Sequence, residues 1–287
     1  MMKIMWLKPI IIPFLQRFRI KWLTEQGVTE VMVRIPRNVA KRERRENMGI
    51  LSKNKKKKNA LNGTVKNMHK NLKFTASEQY RLLRTNIKFT LSEDIKCPVI
   101  GISSSLRGEG KSTTAVNLAY ALAKDGSKTL LIDCDLRIPT VGNKVGVNSS
   151  KGLTNLLLGE AFDVEEWQSP HQSNWYVLTS GETPPNPSEL LGSERMEKLL
   201  NRLREEFDYI VLDLPPVNLV SDAMSVSKFI SGMILVVREG YSDKKSLDLC
   251  VRQIKLAGIR VLGCVINDSS TMKVGYGHYG KNGKYLP

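Results

Sequence analysis

From about residue 75 to residue 267, short unbroken apolar runs alternate with longer amphipathic stretches. The runs fall at 98–102, 129–133, 175–179, 209–213, 233–237 and 261–266 and are rich in Ile, Val and Leu. Strands covered on both faces read as continuous apolar runs, whereas a sheet with one wet face alternates apolar and polar. The stretches at about 112–124, 188–205, 219–230 and 243–257 repeat their apolar residues at helical spacing, and a further helix is expected at about 77–91. Strands and helices taking turns predict an α/β fold with a mostly parallel sheet and helices on both faces. In such sheets ligands sit beyond the carboxyl ends of the strands, so the residues there carry the functional reading.

The pattern stops at both ends. Residues 268–287 contain Gly and Tyr without an apolar period and are expected to be a flexible tail. Residues 1–70 show no folded-domain pattern either. They end in a lysine-rich run, Lys53 and Lys55 to Lys58, which repels itself and is expected to be disordered. A true translation start at Met48 would make 1–47 an artefact of start assignment. The expected organisation is therefore a basic extension over 1–70, a domain over 71–267 and a tail over 268–287.

Charge sharpens that division. The chain carries +16, but residues 1–70 hold 18 Lys and Arg against 4 Asp and Glu, a net of +14. The other 217 residues hold 26 against 24, a net of +2. A near-neutral domain argues against a nucleic-acid-binding face. The basic extension suits water or an anionic membrane surface. The apolar stretch from Met1 to Leu23 is interrupted by Lys3, Lys8, Pro9, Pro13, Arg17 and Arg19. It falls short of the ~20 mostly apolar residues a span needs. Cys97, Cys134, Cys250 and Cys264 are scattered without metal-ligand spacing and are expected to be buried, reduced thiols.

The chemistry begins between the first predicted strand and helix of the alternating region. Ser104-Ser105-Leu106-Arg107-Gly108-Glu109-Gly110-Lys111-Ser112-Thr113 joins them. Glycines there let backbone N–H groups turn toward an anion, and the helix N-terminus adds positive potential. Lys111 is expected to reach the β- and γ-phosphates and Ser112 to sit on Mg²⁺. Gly108, Glu109, Gly110 and Thr113 complete the expected phosphate cradle. The standard pattern has Gly six residues before the Lys; here Ser105 occupies that place.

Asp133, Asp135 and Asp213 lie at or just past strand ends. Mg²⁺ favours one or two carboxylates together with water and phosphate oxygens. Ser112 and these three aspartates are thus the expected metal site, and Lys111 with the aspartates the expected catalytic set. Which of Asp133 and Asp135 accepts a proton is left open. The site is then a P-loop NTPase-like one, fit for phosphoryl transfer or ATP hydrolysis. Asn267 ends the last strand, where it is expected either to contact the base or to make a turn.

These motifs resemble the bacterial tyrosine kinases of capsule and exopolysaccharide synthesis over about residues 75–287. The loop looks like that family's Walker A element. Leu131-Ile132-Asp133-Cys134-Asp135-Leu136-Arg137-Ile138-Pro139 looks like its A′ element, and Ile210-Val211-Leu212-Asp213-Leu214-Pro215-Pro216 like its Walker B. Glu78, Arg81 and Arg84 match the Glu-x-x-Arg-x-x-Arg helix through which family members assemble into rings. Arg107 stands where the family usually has Pro, Leu214 where a small polar residue is common, and the tail has fewer tyrosines than usual. The resemblance implies ATP and Mg²⁺ as cofactors and transfer of the γ-phosphate to tyrosine. It also implies autophosphorylation of Tyr276, Tyr279 and Tyr285 by a neighbouring subunit. It further implies a separate transmembrane modulator of the polysaccharide co-polymerase type, with the chain held peripherally at the cytoplasmic face of the membrane. Other proteins phosphorylated on tyrosine are possible partners.

Two readings compete. A partition-type ATPase shares the expected fold, but its additional loop lysine would fall at Leu106, which has no charge. A catalytically weak adaptor of the polysaccharide machinery would tolerate the altered loop and sparse tail.

Overall fold

The computed structural model describes residues 32–36 and 74–269, apart from Glu93 and Ser149. Strand β1 (Met32–Pro36) is followed by helix α1 (Phe74–Thr90), β2 (Val99–Ser104), α2 (Lys111–Lys124) and β3 (Thr129–Asp133). Next come α3 (Val141–Val145), α4 (Leu153–Leu158), β4 (Trp175–Leu178), α5 (Pro187–Leu191), α6 (Glu194–Arg204) and β5 (Tyr209–Asp213). The last described elements are α7 (Asp222–Ser225), β6 (Gly232–Arg238), α8 (Lys244–Leu256) and β7 (Val261–Ser269).

The strands form one sheet in the order β1-β7-β6-β2-β5-β3-β4, with every neighbouring pair parallel. All six strands expected from the apolar runs are present. Leu130, Ile132, Ile210 and Leu212 enter the core on one face, while Leu131 and Val211 enter the core on the other. That alternation into two cores is why the runs carry no polar positions. The register aligns the functional ends: Ile102 pairs with Asp213, and Asp133 pairs with Asp213. Adjacent strands lie about 4.8 Å apart. The loop after β2 and the aspartates of β5 and β3 therefore share one edge.

Three differences from the sequence reading have local causes. First, residues 32–36 are a strand within the region expected to be unstructured. Val33 and Ile35 are 1% and 2% exposed, in the same core as Leu83 and Ile87 of α1. Two β-branched residues on either side of Arg34 are too short a signal to stand out in a basic segment. Second, the expected helix at 188–205 is two helices, because Ser193 caps α6 with its hydroxyl on the Met196 N–H. Third, only Asp222–Ser225 of the stretch 219–230 is α-helical, followed by a 3-10 turn at Ser227–Phe229. Ser225, Val226 and Ser227 are poor helix formers in succession. The four cysteines are free and buried, as expected. Among the described residues no helix is long and apolar enough to cross a membrane. The lysine run and the tail tyrosines lie outside the described residues.

Candidate active site

The loop between β2 and α2 is built from glycines at positive φ and an internal carboxylate. Gly108 and Gly110 have φ of +79° and +102°, a region that side chains disfavour. A Cβ on Gly110 would also lie 2.1 Å from Nδ2 of Asn267. That Nδ2 donates to the Glu109 carbonyl at 2.9 Å, so the end of β7 holds the loop from outside. The Glu109 side chain turns inward and is fully buried. Its carboxylate accepts from the Leu106 N–H at 2.8 Å, from the Ser105 hydroxyl at 3.0 Å and from the Ser242 hydroxyl. Ser105, in the place of the usual glycine, is thus a strut for Glu109. Burial pushes the Glu109 carboxyl up, opposed by those donors. Arg238 adds a bond to the Gly108 carbonyl at 3.1 Å while paired with Asp268 at 3.0 Å. Arg107 is exposed on the same loop.

Below the loop, Lys111 lies on carboxylates. Its Nζ is 2.8 Å from Asp135, 3.5 Å from Asp213 and 3.2 Å from the Ser112 hydroxyl. Burial works against its charge, but Asp213 and Asp135 win and hold its pKa above the usual lysine value. Asp213 is fully buried, and burial raises its pKa against the pull of Lys111. Its Oδ2 has no hydrogen-bond partner among the described residues.

The two aspartates of β3 and the following loop differ. Asp133 accepts from the Asp135 N–H at 3.2 Å with one oxygen, and from Thr140 and Val141 at 3.1 and 3.0 Å with the other. It thereby ties the loop 134–140 to the strand end. Burial, with the nearby Asp213 charge, pushes its pKa up to about 7. Asp135 accepts only one backbone bond, from Ile138 at 3.1 Å, and directs its other oxygen at Lys111. Leu214, at the position where a small polar residue was expected, is buried against Gly101.

Of the expected assembly residues, Glu78 and Arg81 pair with each other at 2.8 Å, partly exposed. Arg84 instead anchors α1 to α2 through Asp125 at 3.0 Å and the Ala121 carbonyl at 3.1 Å. A hollow of about 270 Å³, lined by Tyr80, Arg81, Arg84, Tyr120 and Lys124 among others, lies between these helices. Sequence reasoning missed two contacts at the site. Arg137 grips the buried Asp222 with two bonds at 2.8 and 3.1 Å, and Lys144 donates to the Thr113 hydroxyl at 3.1 Å. Both partners are distant in sequence, and a single cation in a polar segment reads as solvated.

The arrangement fits a nucleotide with a divalent cation. A glycine-built loop opens onto a helix N-terminus, and Asp213, near the Ser112 hydroxyl, keeps one buried carboxylate oxygen without a partner among the described residues. This is a P-loop site of the AAA class: the AAA domain family matches residues 97–256, more than half of the chain.

Relatives narrow the class. The tyrosine-protein kinase YwqD of Bacillus subtilis is 36% identical over 211 residues, covering 73% of this chain and 89% of that protein. The structure of the chimerical protein CapA2B2 matches with a TM-score of 0.71 at 30% identity, covering 87% of this chain and 98% of that one. The kinase domain of the Escherichia coli tyrosine kinase ETK matches at 0.70 and 28% identity, covering 90% and 97%. The chain belongs to the bacterial tyrosine-protein kinases. It is an ATP-binding P-loop kinase, and the partition-type reading is set aside.

Proposed function

We propose that the chain autophosphorylates Tyr276, Tyr279 and Tyr285 with Mg·ATP and thereby regulates capsular or exopolysaccharide synthesis and export. The observation that carries this is the convergence of Lys111, Ser112, Asp135 and Asp213 within one group of contacts at the carboxyl edge of the sheet. Mg·ATP supplies the transferable phosphoryl group and neutralises charge on it.

The chain's own residues do the rest. Backbone N–H groups of Gly108 to Thr113 bind phosphate oxygens. Ser112, Asp213 and Asp135 would hold the metal, and Lys111, which rests on Asp135 and Asp213, would turn to the phosphates. Asp133, with both oxygens on backbone N–H groups, supports the metal site by fixing the loop that carries Asp135. A tyrosine hydroxyl has a pKa of about 10 and needs a base as it attacks. Asp135, the less constrained A′ aspartate, takes that proton.

The tail starts beside the site, since Asn267 already touches the loop. Tyr276 can extend up to ~25 Å beyond Ser269, at about 3.3–3.6 Å per residue. Presentation to a neighbouring copy requires assembly, which we assign to the α1 face of Glu78 and Arg81, with Arg84 bracing that helix on α2. The family resemblance supplies the further partner, a transmembrane modulator that holds the kinase at the cytoplasmic face of the membrane. Other tyrosine-phosphorylated proteins are additional substrates.

Incubation with Mg·ATP and the modulator's cytoplasmic segment tests the reading by phosphotyrosine detection. Signal is expected from the wild type and should vanish in Lys111→Met and in the triple Tyr276/Tyr279/Tyr285→Phe variant. ATP hydrolysis without phosphotyrosine would overturn it.

A further inference from the structure

We infer that Lys144 is a second phosphate-binding lysine of the nucleotide site, reaching it from the β3 side. The inference rests on the nucleotide reading above. Lys144 sits on α3, whose position is set by the site itself: Asp133 accepts from Thr140 and Val141, the residues that open this helix. From there its Nζ crosses to Oγ1 of Thr113 at 3.1 Å. Thr113 lies in the first turn of α2, where backbone N–H groups have no intrahelical partner and face an incoming anion.

The partner is the unusual feature. Three aspartates line this edge of the sheet, and they take Lys111. Lys144 has no carboxylate within ion-pair distance among the described residues, although its side chain is partly buried. A half-buried ammonium resting on a neutral hydroxyl is under-compensated, and an anionic ligand at the first turn of α2 would supply the missing charge. The strand order β2-β5-β3 explains how two lysines flank one phosphate chain. Lys111 follows β2, Lys144 follows β3, and Asp213 stands between them on β5. Lys144 is therefore a binding residue for the nucleotide's phosphates, with Thr113 as its resting partner.

Calorimetric titration of the full chain with Mg·ADP tests this, using wild type, Lys144→Gln and Lys144→Arg. Lys144→Gln should bind roughly tenfold more weakly, and Lys144→Arg within about threefold of wild type. The salt dependence of binding should become shallower in Lys144→Gln, while ligand-free thermal unfolding stays unchanged. Equal affinity of Lys144→Gln and wild type overturns the inference alone. So does a weaker affinity matched by a lower ligand-free melting temperature with an unchanged salt dependence, which marks Lys144 as a structural tether. A wild type that fails to bind Mg·ADP overturns the nucleotide reading itself.

Discussion

Gly110 has neither the backbone angle nor the space for a side chain, and the loop's shape depends on both. Its φ is +102°, and the Asn267 amide occupies the place of a Cβ. Gly110→Ala should cost about 1–3 kcal/mol in urea denaturation and weaken Mg·ADP binding by more than tenfold, because Asn267 must leave the Glu109 carbonyl. Glu109 acts from inside the loop. Glu109→Ala strands the Ser105 and Ser242 hydroxyls and the Leu106 N–H, at a cost of about 1–3 kcal/mol. The aspartates add a pH signature. Asp133 titrates near 3.8 unfolded and near about 7 folded. Between those values the unfolded chain binds fewer protons, so the Asp133 contribution lowers stability as pH rises through that window, then levels off. Ionised Asp133 holds the loop that carries Asp135 through three backbone N–H groups, so the Mg²⁺-dependent part of ADP affinity should rise over the same window. Thermal melting of the ligand-free protein and calorimetry with and without Mg²⁺ check the two opposite slopes. Slopes of the same sign would contradict this assignment.

The elements place these residues through strand register, and β1 extends that logic to the edge of the sheet. Ile35 is 2% exposed, so Ile35→Ala should lower stability by about 2–3 kcal/mol in denaturant titration. The burial of Val33 and Ile35 also argues for translation from upstream of Met48. Mass spectrometry of the native protein should find peptides from residues 32–47, and a mature N-terminus at Met48 would contradict that. Strands β2 to β7 and the phosphate loop were legible because each is a local signal: an apolar run, or a glycine pattern ahead of a helix. Asp133, Asp135 and Asp213 were legible as strand-end residues. Their division of labour was not, because it depends on which backbone N–H groups the loop 134–140 brings back to Asp133. Arg137–Asp222 and Lys144–Thr113 were invisible for the same reason, being contacts between elements 85 and 31 residues apart. Asn267 was expected at the base or in a turn. Its amide meets the loop backbone, a contact that the β6–β7 pairing brings into reach.

On the scale of the whole molecule, the chain separates a near-neutral catalytic domain from a strongly basic N-terminal region. The domain gathers its reactive groups at the carboxyl edge of the sheet, the edge at which β7 ends. Transfer of phosphate from this site to the tail tyrosines is read out by mixing two variants that are silent alone. Lys111→Met keeps the tail but lacks the lysine, whereas the triple Tyr276/Tyr279/Tyr285→Phe variant keeps the site but lacks the acceptors. With Mg·ATP and the modulator's cytoplasmic segment, peptide mass spectrometry should find phosphotyrosine at 276, 279 or 285 only in the mixture. A mixture that turns over ATP, yet leaves those tyrosines unmodified while wild type is equally bare, would contradict the account.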